Sequence, residues 1–218
     1  IYLKVMNKEN KISQDSLILD SIKYSWNHVF LISNQISLIT TKLIIDNFKL
    51  EEKNIKIFLL RNIDSSLIDI SSFLVKRKKY DSKLDKILWT SMMGKRIINQ
   101  LKINNNKFIL YSEWASRVTE KVLNYSKCMG HNYIESGQHS YMQIPLFTPH
   151  KLNVIDRINK NWKNRLSDID EKAHFFFRDD ANYFLGIDEK IFPGAPIDKK
   201  IILNNFKTLK SSYIPKLR

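Results

Sequence analysis

The sequence predicts an α/β domain built on an open sheet of parallel strands. Short apolar runs rich in β-branched and aromatic residues alternate along the chain with longer stretches whose apolar residues recur at helical spacing. The run His28-Val29-Phe30-Leu31-Ile32 lacks the polar alternation of a one-sided strand, which is typical of a strand buried on both faces of a parallel sheet. Strands that alternate with helices in this way indicate βαβ units.

The elements follow one another in a regular order. Ser33 or Asn34 can cap a helix that continues to Phe48, because both side chains accept hydrogen bonds from the first helical turn. The pattern then predicts a strand at 54–60, a stretch at 64–76 compatible with helix or strand, a long amphipathic helix at 81–103, a strand at 107–111, a helix ending near residue 130 and a strand at 131–135. Later elements are predicted as a helix at 151–166, a strand at 173–177, a rigid turn at 192–196 and a strand at 200–203.

This order divides the chain into three parts. Residues 1–25 form a lead-in, residues 26–150 form the parallel-sheet domain, and residues 151–218 form a helical or linker extension. In such a domain ligands bind beyond the carboxyl ends of the strands, which places the predicted site in the loops after them.

Composition narrows the class of protein. The single cysteine, Cys128, excludes an intramolecular disulfide and favours a reducing compartment, so we expect the cytoplasm. No run approaches the roughly 18 to 20 apolar residues of a membrane-spanning helix. The net charge of +14 predicts attraction to nucleic acid, anionic lipid or an anionic substrate without choosing among them. The basic run at 76–79 is compatible with a peripheral contact with an anionic inner membrane or with a solvated loop.

The segment from Tyr133 to Tyr141 is the strongest candidate for a functional site. It places a carboxylate, a glycine, an imidazole and hydroxyls at one strand end. Glu135 can act as general base toward a sugar hydroxyl, and His139 as base or as a donor to phosphate. The competing interpretation is a structural turn in which Gly137 supplies a positive φ and Glu135 caps the backbone.

Side chains at other strand ends complete the predicted substrate site. After the third strand, Glu113 and Trp114 can hydrogen-bond and stack a sugar ring, although Trp114 is equally compatible with the core. The full set of predicted substrate-binding residues is Asn34, Gln35, Glu113, Trp114, Ser136, Gly137 and Ser140.

Possible metal ligands form weaker patterns. Asp168-Ile169-Asp170 and Asp179-Asp180 are more typical of a solvated helix end and of a carboxylate paired with Arg178. Cys128 and His131 lack a second pair of ligands at zinc spacing, which favours a buried, inert thiol. The sequence therefore predicts no metal and no cofactor.

The segment Tyr133-Ile134-Glu135-Ser136-Gly137, continued by Ser140-Tyr141, resembles the Y-x-E-D-G-x-G-S-Y type motif of bacterial sialyltransferases of glycosyltransferase family 52. The stretches 29–35 and 192–196 are similar to the first strand and loop of that family and to a proline-glycine segment before its second domain. The resemblance implies a Rossmann-like domain that is one half of a GT-B architecture. It also implies transfer from a nucleotide-sugar donor such as CMP-sialic acid to a glycan acceptor in bacterial surface polysaccharide or lipooligosaccharide synthesis, without an obligatory metal.

Two departures from the family limit what the resemblance implies. Ser136 stands where the family has the acid that serves as general base, which leaves the base between Glu135 and His139. The nucleotide-binding His-Pro motif of the family's second domain has no convincing counterpart, so the resemblance implies an acceptor-side domain, a piece of a longer protein, or a divergent protein that needs a partner for its donor site. A non-catalytic basic module for nucleic acid or acidic glycan, and a partner subunit for a separate catalytic chain, are the alternatives. A homo-oligomer stays open.

Overall fold

A computed structural model of the chain describes residues 27–68, 72–75, 83–102, 106–142, 146–147 and 177–203. The strands are β1 (Asn27–Ile32), β2 (Ile55–Leu59), β3 (Ser72–Leu74), β4 (Phe108–Ser112), β5 (Cys128–Ile134), β6 (Leu146–Phe147), β7 (Phe177–Arg178), β8 (Tyr183–Gly186) and β9 (Lys200–Ile202). The α-helices are α1 (Gln35–Phe48), α2 (Lys83–Lys102) and α3 (Arg117–Leu123). Short 3₁₀ helices span Glu52–Asn54, Ser65–Leu67, Gln138–Tyr141 and Ile197–Lys199.

Seven strands form one open parallel sheet in the order β3-β2-β1-β4-β5-β8-β9. The chain moves outward from β1 to β3 and then returns to place β4 on the other side of β1, as in Rossmann-like doubly wound sheets. The predicted open parallel α/β sheet is therefore confirmed. In sheets with such a reversal of strand order, ligands bind in a crevice beyond the carboxyl ends of the strands at the reversal, which here are β1 and β4.

Hydrophobic residues cover both faces of the sheet. Along β1, Phe30 and Ile32 pack into a cluster with the apolar face of α1, while Val29 and Leu31 pack into a second cluster with α2 and α3. This alternation follows from the two-residue period of a strand, and it explains why β1 is apolar at every position from 29 to 32. A third, mostly aromatic cluster lies around β5, β7 and β8 and contains Tyr133, Phe177, Phe184 and Phe192.

Most predicted elements have close counterparts, and two differ in their bounds. Helix α3 ends at Leu123, before the predicted end near Gly130, because the chain turns there with Tyr125 N–H bonded to Val122 O and Cys128 N–H bonded to Tyr125 O. Strand β5 consequently begins at Cys128 and not at residue 131. The ambiguous stretch 64–76 contains both a 3₁₀ helix and strand β3.

Several predictions lie outside the described residues. They are the lead-in at 1–25, the helix at 151–166, the basic run at 76–79, the acidic pair at 168 and 170, and the strand at 173–177 apart from Phe177, which begins β7. Strands β8 and β9 continue the main sheet, so the sheet includes residues from both sides of the predicted boundary at 150. In the parts of the chain that the structure describes, no helix has the length and apolar character needed to cross a membrane.

His28 in β1 gives the fold a predicted sensitivity to acid. Its ring is buried, and its Nδ1 lies 3.0 Å from the hydroxyl of Tyr111 in the neighbouring strand β4. Burial lowers the pKa of His28 from its ordinary 6.5 to about 4, because the interior disfavours the imidazolium. The folded state therefore binds this proton more weakly than the unfolded state does.

The contribution of neutral His28 to stability is fully present above pH 6.5 and is lost as the pH falls toward about 4. We expect this loss to reach about 3 kcal/mol of unfolding free energy. Urea unfolding of the protein and of His28→Gln at a series of pH values measures it. If the two proteins showed the same pH dependence, the pKa of His28 would be the same in the folded and unfolded states, and the prediction would be wrong.

Candidate functional site

The predicted site residues lie in three loops at the carboxyl edge of the sheet. Asn34 and Gln35 follow β1, Glu113 and Trp114 follow β4, and residues 135–141 follow β5. Because β1, β4 and β5 are neighbours in the sheet, these loops lie side by side. The structure thus places the candidate residues around the crevice that the strand order creates.

Glu113 is the hydrogen-bonding centre of this crevice. Its carboxylate is buried and accepts from the backbone N–H groups of Ser33, at 2.6 Å, and Asn34, at 3.2 Å. It also accepts from the hydroxyl of Ser37, at 2.5 Å, and from the hydroxyl of Ser33. All four donors belong to the β1–α1 loop and the first turn of α1, so Glu113 organises the N-terminus of that helix.

Two opposing effects act on the Glu113 carboxyl. Burial raises the pKa of Glu113 above its ordinary value, and the hydrogen bonds from Ser33, Ser37 and Asn34 offset only part of that rise. Four donors directed at two oxygens form the arrangement that an ionised carboxylate satisfies. Direct binding of a sugar by Glu113 stays a prediction, since these contacts already use both oxygens.

Asn34 and Gln35 have different surroundings. The Asn34 side chain accepts from Ser37 N–H at 3.0 Å and so is the N-cap of α1, one of the two residues predicted for that role. Gln35 donates through Nε2 to the carbonyl of Asp64 at 3.3 Å and so connects α1 with the loop after β2. Asn34 therefore caps α1 beside Glu113, and Gln35 is directed toward the loop after β2, on the side of β1 away from β4.

Glu135 lies directly after β5 and is also buried. One oxygen accepts from Ile187 N–H at 2.9 Å, and the other accepts from the Tyr141 hydroxyl at 2.9 Å. Gly186 allows this approach, since a Cβ at that position would lie 2.7 Å from the Glu135 carboxylate. Glu135 consequently ties together the end of β8 and the 3₁₀ helix at 138–141. Burial and the Glu135 carboxylate together raise the pKa of Tyr141 above its usual range.

Ser136 and Ser140 stabilise the turn between them. Ser140 Oγ accepts from Ser136 N–H at 2.9 Å, and Ser140 N–H donates to Gly137 O at 2.8 Å. The Ser140 carbonyl accepts from Phe192 N–H at 2.6 Å, so the predicted turn at 192–196 packs against this segment. Both serines are buried, and these hydrogen bonds join them to other parts of the protein.

His139, in the same segment, is partly exposed. Its ring meets the Trp114 ring edge-on, with centroids 6.3 Å apart, and Trp114 itself packs partly against the aromatic cluster. This contact brings together two predicted site residues from the loops after β4 and β5. Of the two candidate bases, His139 is therefore the more accessible, while Glu135 is only 2% exposed.

Gly137 holds the turn across the crevice. Its φ of +92° and ψ of −141° lie in a region that side-chain-bearing residues rarely adopt. The positive φ is the one that the structural-turn interpretation predicted for Gly137. A Cβ there would also lie 2.7 Å from Ile36 Cδ1 in the first turn of α1. The segment after β5 thus reaches the start of α1, beyond the end of β4.

Substituting Gly137 with alanine is expected to lower the free energy of unfolding by about 3 kcal/mol, because it adds backbone strain to a steric clash. Thermal and urea unfolding measure the loss. Combining Gly137→Ala with Ile36→Ala should recover the steric part and leave the backbone part. An alanine variant as stable as the original protein would contradict the described turn.

A second polar cluster lies at the opposite, amino-terminal edge of the sheet. Arg178 pairs with Asp180 through two hydrogen bonds, of 2.8 and 2.6 Å, and with Glu120 at 2.9 Å. Beside this cluster a cavity of about 250 Å³ is lined in part by Cys128 and His131. The predicted pairing of Arg178 with a neighbouring carboxylate is confirmed. Burial raises the pKa of Cys128 to about 11, which supports the interpretation of an inert thiol.

The described residues include no metal-binding group. In the described ranges no group of three or more His, Cys, Asp or Glu side chains is arranged to hold a metal ion. His131 Nε2 lies 3.8 Å from Asp180, and burial lowers the pKa of His131 to about 4.

Some contributors to the site were not predicted. Ser33 and Ser37 are hydrogen-bond donors to Glu113, and their spacing of about one helical turn was the available signal. Tyr141 was part of the candidate segment without a role of its own. Ile187 contributes through its backbone N–H, which no residue type in the sequence could have indicated.

No family model matches this chain, and comparisons with curated proteins and with solved structures found no significant similarity. The fold and the crevice geometry are therefore the basis of the functional argument.

Proposed function

We propose that this protein is a glycosyltransferase that resembles the bacterial sialyltransferases and moves a sugar from a nucleotide-sugar donor to a glycan hydroxyl. The described residues would form one Rossmann-like half of a GT-B enzyme, on the acceptor side. The single observation that carries the proposal is the position of the segment 135–141, which extends from the end of β5 past the ends of β4 and β1, with Gly137 against Ile36 and His139 against Trp114.

His139 is the proposed general base. An imidazole can remove the proton of an acceptor hydroxyl as it attacks the donor sugar, while the nucleotide leaves with the bonding electron pair. His139 is partly exposed, whereas the two oxygens of Glu135 are bound to Ile187 N–H and the Tyr141 hydroxyl. Glu135 is accordingly proposed as a positioning residue that holds the 3₁₀ helix bearing His139.

Trp114 is the proposed sugar-stacking residue. Its ring is partly exposed beside His139, and an aromatic face next to a base suits a sugar ring whose hydroxyl is to be deprotonated. Asn34 and Gly137 would form the other walls of the crevice. The surrounding positive charge, +14 overall, would favour an anionic nucleotide sugar or a contact with anionic lipid.

The proposal is tested by incubating the full-length protein with CMP-sialic acid and an array of uncharged oligosaccharides. Mass spectrometry of the products and release of CMP are the readouts. We expect a mass gain of one sialyl residue on at least one acceptor. No product and no CMP release above that of a Glu135→Ala/His139→Ala double variant would contradict the proposal.

The same double variant distinguishes a transferase from a non-catalytic binding module. A basic module that binds nucleic acid or acidic glycan would keep its affinity in this variant, and the affinity would fall steeply with salt. A sugar transferase would lose turnover in the same variant.

A further inference from the structure

We infer that Glu113 serves as a built-in anion that excludes phosphate and carboxylate ligands from the N-terminus of α1. In parallel sheets with a reversal of strand order, this helix start is the place where a bound phosphate commonly sits, because its free N–H groups and the helix dipole favour negative charge. Here the carboxylate of Glu113 occupies that place from the neighbouring strand β4.

The hydrogen bonds show how completely the place is filled. Ser33 N–H, Asn34 N–H and the hydroxyls of Ser33 and Ser37 all donate to the one carboxylate. These are the donors that a ligand phosphate would need, and the Asn34 side chain satisfies Ser37 N–H as well. The side chain of Glu113 is held among them with only 3% of the residue exposed.

Exclusion has two physical causes. The carboxylate already occupies the volume next to the donors, and its negative charge would repel a second anion brought within a few ångströms in a partly buried crevice. A ligand that binds beside Glu113 must therefore be uncharged or cationic at the contacting end. A phosphate of a nucleotide sugar would have to be bound by other donors.

Glu113 therefore determines which ligands the crevice admits, according to their charge. The inference goes beyond the proposed transferase activity and does not depend on it, since it concerns only which small molecules the crevice admits. If both hold, the crevice at β1 and β4 receives the neutral acceptor.

Removing the side chain should turn the occupied place into an anion site. We expect Glu113→Ala to bind acetate or inorganic phosphate at the freed donors, with a rise in melting temperature of about 4 °C at ten times the dissociation constant. If the variant is partly unfolded, the same anions should refold it, as followed by circular dichroism. Sodium chloride at equal ionic strength should do neither.

Glu135→Ala is the matched control. It removes another buried carboxylate at a neighbouring strand end and changes the net charge by the same amount, but its partners are Ile187 N–H and the Tyr141 hydroxyl and not a helix start. Acetate and phosphate should raise its melting temperature by less than about 1 °C, as in the original protein.

The amide NMR spectrum locates the effect. Phosphate should shift the Ser33 and Asn34 amide resonances of Glu113→Ala and leave them in place in the original protein. The inference is overturned if the original protein binds phosphate at these amides. It is equally overturned if acetate and phosphate neither stabilise nor refold Glu113→Ala beyond the effect seen with Glu135→Ala.

Discussion

Replacing His139 by glutamine is expected to slow sugar transfer by about 100-fold or more, with a much smaller change in the KM for the acceptor. Glutamine keeps a polar side chain of similar reach beside Trp114 but cannot accept a proton at neutral pH. The loss should therefore fall on kcat, because the base acts in the transition state and contributes less to ground-state binding.

Glu135→Gln is the contrasting variant in that experiment. Its amide oxygen can still accept from Ile187 N–H, and its size is unchanged, so the turn at 136–141 should persist. We expect a loss of less than about 10-fold in kcat. If Glu135→Gln were the more damaging substitution and His139→Gln were nearly as active as the original protein, the proposed roles of the two residues would be reversed.

Replacing Glu113 by alanine is expected to lower the free energy of unfolding by about 4 kcal/mol, measured in low-salt buffer without added carboxylate or phosphate. The substitution leaves two backbone N–H groups and two hydroxyls at the start of α1 without their acceptor in a buried place. Such unsatisfied donors are costly, because water cannot replace the lost partner fully.

Ser37→Ala provides the measure of one contact in the same network. It removes a single hydroxyl donor and leaves Glu113 with three, so we expect a loss of about 1 kcal/mol. Urea unfolding of both variants gives the comparison. Similar stabilities for Glu113→Ala and Ser37→Ala would mean that the carboxylate does not organise the helix start.

Local features of the fold could be predicted because they depend on residues close in sequence. The uniform apolar character of β1 indicated burial on both faces, and Asn34 was a candidate N-cap from its type and position alone. The positive φ of Gly137 was likewise predictable from the glycine in a polar turn.

Contacts between distant residues could not be predicted in the same way. Glu113 and Ser33 are 80 positions apart, and Glu135 and Ile187 are 52 apart, so their pairing depends on strand order. From the sequence, Glu135 was a candidate general base and Glu113 a candidate sugar ligand, each at a strand end. Their different roles arise because β4 lies beside β1 and its helix, whereas β5 lies beside β8.

We propose that the crevice beyond β1, β4 and β5 receives the sugar acceptor. The most direct measurement is the amide NMR spectrum of the protein with a saturating uncharged oligosaccharide from the acceptor array. We predict shifts concentrated at Asn34, Trp114 and Gly137, with Met129 and Gly130 beside the cavity at the opposite edge unchanged. Shifts confined to Met129 and Gly130, or no shifts at all with every oligosaccharide, would contradict the claim.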